Sequence, residues 1–308
     1  MIEIFMKTLP FFALIGLGYG ACRSGFFPKE ASVWLTKFVF YFALSAMLFG
    51  FAASLPVTEI FDLSFALAYL TGCFIVYAIA TIVALMRKRG FEEAAIEAQC
   101  ATIGNTGFLG VPLMVSLFGP IAAGPALMVL TLDMVVFSSL IVILITLARN
   151  GRMQWALLGT VAGGLLRNPM IVSIVAGLAV SALGWSLPAP VQEFTDILGA
   201  AATPGALFAI GASLAGKSAE RISVAAWLSF LKLFVHPLAV FIAAFWIFEI
   251  EAFPAMIMVT AASLPVAGNV YILAQHYGVA PQRVSASILI STLISVATVT
   301  LTIAFLQG

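Results

Sequence analysis

Runs of about twenty apolar residues recur along the whole of this chain, and they leave few choices of fold. A bilayer core is roughly 30 Å thick, and an α-helix rising 1.5 Å per residue crosses it in about 20 residues. Ten such runs can be read: about 3–21, 32–53, 61–86, 93–118, 121–147, 168–185, 191–215, 222–247, 253–276 and 283–306. Only 9% of the 308 residues are charged and 63% are hydrophobic, whereas soluble domains carry about 25% charge. No polar block is long enough for a separate soluble domain, so the chain reads as one all-α polytopic membrane domain. A net charge of +1 supplies no basic face, and nucleic acid is excluded as a partner.

Short links punctuate the runs, most of them with Pro, Gly or charge, such as Arg87-Lys88-Arg89-Gly90 and Gly119-Pro120. The longest link, 148–167, holds an apolar stretch from Trp155 to Leu166. It is either a short interfacial helix feeding the sixth span or the first turns of that span. The first run is kept as mature structure rather than a signal peptide, because Glu3 offsets Lys7 and Tyr19 occupies a position expected to be small or aliphatic. Cys22, Cys73 and Cys100 show no metal or redox spacing and read as small hydrophobes.

Charge sets the orientation. Arg23, Lys29, Arg87, Lys88, Arg89, Arg149, Arg152, Arg167, Lys217, Arg221 and Arg283 all fall on one side, eleven of the fourteen Lys and Arg. Glu59, Asp62, Glu249 and Glu251 fall on the other. The positive-inside rule then places both termini outside the cytoplasm.

The sequence also repeats. Pro10 and Pro169, Phe49 and Phe208, and Gly119 and Gly278 are each 159 residues apart, in similar surroundings. Five spans per copy is an odd number, so the second copy must insert upside down. The expected plan is two inverted five-helix repeats, residues 1–147 and 168–308, joined by a cytoplasmic connector at 148–167. Such repeats belong to secondary transporters, which bind their cargo at interrupted helices near the midplane.

The fourth span carries that interruption. Gly104-Asn105-Thr106-Gly107-Phe108-Leu109-Gly110-Val111-Pro112 places three glycines, a proline and two polar residues mid-run, and Gly and Pro cost about 1 and 3 kcal/mol in a helix interior. The offset maps 105–112 onto 264–271, which holds Pro265, Gly268 and Asn269. Helices 4 and 9 are therefore expected to be a pair of broken crossover helices.

These residues resemble the fourth-helix motif of the auxin efflux carrier family, which includes plant PIN carriers and bacterial carriers assigned to malonate, malate and related acids. Leu166-Arg167-Asn168-Pro169, Pro204 to Gly211 and Pro265 to Tyr271 are similar to its other motifs. The long cytoplasmic loop of many PIN proteins is absent, which favours the bacterial branch. The resemblance implies a scaffold of spans 1, 2, 6 and 7 and a moving unit of spans 3–5 and 8–10. It also implies a small organic anion as substrate, a dicarboxylate or an auxin-like weak acid, and allows a homodimer.

The candidate substrate-binding residues are Asn105, Thr106, Pro112, Asp133, Lys232, His236, Pro265, Asn269, Tyr271 and Gln275. Asp133 reads as the single carboxylate deep within a span, where a charge costs about 2.5–3.5 kcal/mol, and is a candidate for substrate or proton handling. Lys232 and His236, four apart, share a helical face. They could oppose a carboxylate substrate or Asp133, or hold backbone freed by Pro237. Asn105 and Asn269 could bind substrate or satisfy the open backbone at the breaks. His276 reads as interfacial.

No P-loop is present, so energy is expected from a gradient, of H+ or Na+ if coupled, with no cofactor. An anion channel or uniporter using the same breaks is the alternative. An intramembrane protease built on Ser213 and His236 is set aside, because Leu214 follows the serine and Gly211 to Ser213 reads as close helix packing.

Overall fold

The computed structural model describes residues 2–54, 62–150, 156–215 and 222–307. The expectations placed on Glu59, Gly151, Arg152, Trp155, Lys217 and Arg221 lie outside those residues. All the described secondary structure is helical apart from one isolated bridge. In chain order the helices are α1 (Ile2–Arg23), α2 (Lys29–Ser54), α3 (Leu63–Met86), α4 (Phe91–Thr102), α5 (Thr106–Phe118), α6 (Pro120–Arg149) and α7 (Ala156–Leu166). Then follow α8 (Pro169–Ala182), α9 (Ala189–Leu214), α10 (Ile222–Ile247), α11 (Ala252–Ala262), α12 (Gly268–Tyr277) and α13 (Pro281–Leu306).

Among the described residues, seven helices are long and apolar enough to cross a bilayer: α1, α2, α3, α6, α9, α10 and α13. Helices α4, α5, α11 and α12 are each too short, and the runs containing them are interrupted after Thr102 and Ala262. The stretch after Trp155 is a helix of its own, since its Gly159–Leu166 part lies at 73° to α8. Asn168 makes that corner, its side chain accepting from Met170 N at 3.0 Å before Pro169 opens α8. Asp62 caps α3 in the same way, accepting from Ser64 N and Phe65 N. The outer surface is apolar, with Leu17, Phe42, Ile82, Trp246, Leu293 and Phe305 all exposed, as hydrocarbon contact requires.

A helix end recurs at the sequence offset. Phe118 and Tyr277 close α5 and α12, 159 residues apart. Helix α1 packs along α9, while α8 and α9 pack on α2. Helices α3, α4, α6, α10, α11, α12 and α13 pack on one another, and contacts join the two groups: α5 on α9, α2 on α6, and α1 on α13, where the Thr8 and Thr300 hydroxyls lie 3.0 Å apart.

The α1–α9 contact brings the two backbones together. A Cβ at Gly211 would strike the Ile15 carbonyl and lie 2.8 Å from Tyr19 N; one at Gly18 would strike the Phe208 backbone. Small residues let membrane helices approach where no hydrophobic effect drives them together, so Gly211 is explained by packing rather than by a serine nucleophile's turn. Gly211→Ala should lower protein stability by about 1–3 kcal/mol. Gly20→Ala, which meets nothing within 4 Å, should not; thermal unfolding in detergent compares the two.

Candidate functional site

The two interrupted runs meet at their gaps. The first gap spans Ile103, Gly104 and Asn105, and Gly104 forms an antiparallel bridge with Val266 in the second. Asn105 N donates to Pro265 O at 2.9 Å and Ala267 N to Ile103 O at 3.1 Å. Val266 N donates to Ser291 Oγ of α13 at 3.1 Å. Each unpaired backbone group in hydrocarbon costs several kcal/mol, so each gap supplies partners the other needs. Pro112 is not part of the gap. It lies seven residues beyond Asn105, inside α5, while Gly107 and Gly110 also fall in that helix, pressed by Met170 and Leu264.

Asn105 is 8% exposed, and no hydrogen bond to its side-chain amide is present among the described residues. It therefore does not repair the backbone. Pro265 is buried in the second gap. Beyond it, α12 begins without a side-chain cap, Gly268 and Asn269 are exposed, and the space above Gly268 is open. An uncapped helix N-terminus presents free N–H groups and the positive end of its dipole. Tyr271 and Gln275 lie further along α12, where Gln275 Nε2 donates to the Tyr271 hydroxyl at 3.0 Å. His276 is exposed one residue before the helix end.

A buried polar chain runs behind the gaps. Asp133, 4% exposed, opens a π-helical turn in α6 and accepts from the Tyr69 hydroxyl at 2.8 Å and from Thr106 Oγ1 at 3.3 Å. Lys232, fully buried in a π-helical turn of α10, donates through Nζ to Ala262 O at 2.5 Å and to His236 Nδ1 at 3.0 Å. His236 Nε2 then faces Cys73 Sγ at 3.2 Å. Tyr69 and Cys73 are one turn apart on α3, so this helix joins the Asp133 half of the chain to the Lys232 half. Single π-turns inside α-helices cluster at functional sites. Among the described residues Lys232 and Asp133 form no direct ion pair; the lysine instead holds the last carbonyl of α11.

Asp133 is also not the single buried carboxylate. Glu97 on α4 is fully buried, paired to Arg87 and to Arg283, whose Nη1 lies 2.5 Å away. Arg283 also reaches Glu93 at 3.1 Å, and Arg149 joins Glu92 at 2.8 Å to Tyr277 O at 2.6 Å. Sequence reading missed Glu97, which lies five residues into the run at 93–118, close to the arginines that precede it. Tyr69 and Cys73 carried one signal, their i,i+4 spacing on span 3, but Tyr and Cys are ordinary residues in an apolar helix.

Comparison with known proteins places this geometry in context. The family described as "Membrane transport protein" matches residues 3–153 and again 149–303. A protein of Rhizobium meliloti strain 1021 named "Putative malonate transporter" is 34% identical over 303 residues, covering 97% of this chain and 95% of that one. The "Uncharacterized transporter YfdV" of Escherichia coli K12 is 26% identical over 294 residues, covering 92% of each.

Proposed function

This chain belongs to the membrane transport protein family, the auxin efflux carriers, and on that premise we propose that it is a secondary carrier of a small organic anion, a dicarboxylate such as malonate. The observation that carries this reading is the paired gap: a buried Asn105 amide without a partner among the described residues, beside the uncapped start of α12. One carboxylate oxygen accepts from Asn105 and another from the free N–H groups at Gly268 and Asn269. The chain then works as ten spans in two inverted repeats, with α3–α6 and α10–α13 moving against α1, α2, α8 and α9. The double match to one family model and the helix end that recurs at Phe118 and Tyr277 support that arrangement.

The test is uptake of radiolabelled malonate into proteoliposomes, with accumulation above equilibrium under an imposed gradient. Equilibration without accumulation would favour a uniporter; failure of a screen of mono- and dicarboxylates to bind or exchange would sink the reading. Asp133 is the group for a coupling proton, held by Tyr69 and Thr106. Asp133→Asn should abolish accumulation driven by a pH gradient while leaving counterflow of substrate intact, and normal accumulation would reject that role.

A further inference from the structure

Lys232 occupies an unusual place for a buried cation. Its ammonium is fully enclosed, yet no carboxylate among the described residues forms an ion pair with it. Its partners are the carbonyl of Ala262, the last residue of α11, at 2.5 Å and His236 Nδ1 at 3.0 Å. It also abuts the other gap: a Cβ on Gly104, two residues past the end of α4, would lie 3.2 Å from Nζ and 3.2 Å from Ala261 O. The ammonium thus sits between the C-terminal ends of two half-helices. Each end carries roughly half a negative charge in orphan carbonyls. In carriers built on interrupted helices, such ends hold a coupling cation.

The repeat shows that one ammonium serves both ends. The position 159 residues before Lys232 is Cys73, a thiol that points to His236 Nε2 at 3.2 Å. His236 Nδ1 lies 3.0 Å from Nζ and 3.2 Å from the same Ala262 oxygen, so the ring, the ammonium and the carbonyl form one contact. The imidazole thereby locks the lysine head from the α3 side.

We propose that Lys232 is a built-in monovalent cation, standing between the two broken helices where a free sodium ion would otherwise bind. The crossover therefore needs no metal ion, and removing the lysine side chain creates a site for one. This rests on the carrier reading only for its meaning in transport, since the test reads stability and contains no substrate. A failed uptake assay leaves it standing, and its own failure leaves the carrier reading standing.

The experiment is thermal unfolding of the purified full chain in sodium, potassium, choline or n-propylammonium chloride at equal ionic strength. The unsubstituted protein should unfold at the same temperature in all four. Lys232→Ala should unfold several degrees lower in choline. Propylammonium, which replaces the deleted methylenes and ammonium, should restore most of that loss in a saturable way, and sodium part of it. A sodium-specific rise in the unsubstituted protein would overturn the proposal, as would a Lys232→Ala protein indifferent to propylammonium. Should Lys232→Ala fail to fold, Lys232→Met separates charge from packing. It keeps the side-chain volume and should lose several degrees in choline; a Met protein as stable as the original would overturn the proposal equally.

Discussion

Proteoliposomes carrying Asn105→Ala should take up a labelled dicarboxylate roughly ten- to a hundred-fold less efficiently, with the protein unfolding at an unchanged temperature. The size follows from losing a hydrogen bond to a charged group, about 1.5–3 kcal/mol. The unchanged stability follows from the structure: the amide has no partner among the described residues, so its removal strands nothing. The backbone of residue 105 still donates to Pro265 O, and alanine keeps that bond. A variant that transports normally would remove Asn105 from the site. One that unfolds early would make it a structural residue of the gap.

Glu97→Leu should have the opposite signature, a loss of folded protein of about 3–5 kcal/mol, the cost of breaking a buried ion pair by deleting one partner. Among the described residues, Arg283, 5% exposed, would keep only Glu93, at 3.1 Å, and Arg87 would keep no carboxylate. The cluster joins α4 to the end of α3 and the start of α13, so its failure loosens one whole end of that group of helices. The double variant Glu97→Leu with Arg283→Met should recover part of the loss, because the buried Arg283 charge is then gone while the half-buried Arg87 reaches water. Folded yield by size-exclusion chromatography and the unfolding temperature read both. Equal stability of Glu97→Leu and the unsubstituted protein would show that water reaches the cluster.

The all-helical membrane class and the two interrupted runs were legible in the sequence because hydrocarbon imposes a simple rule. Every backbone group must bond within its own segment, so spans appear as unbroken apolar runs and breaks as Gly, Pro and Asn within them. The offset between the two halves located the second gap from the first. Its extent was not legible. The nonapeptide from Gly104 to Pro112 suggested a long interruption, but three residues suffice, because the opposing gap supplies backbone partners that no local pattern encodes.

The polar residues divide in the same way. Asp133, Lys232 and His236 were visible by depth alone, since a titratable group deep in an apolar run stands out against its neighbours. What each one touches was not. Lys232 could have faced Asp133, substrate or backbone, and only the approach of α11 to α10 assigns it to the Ala262 carbonyl. Tyr69 and Cys73 became part of the chain only when α3 was packed between α6 and α10. Composition and periodicity mark which segments are apolar helices and where they break, because those depend on each residue's own transfer free energy. Which polar groups meet depends on distances between segments far apart in sequence, and the tertiary structure alone decides those.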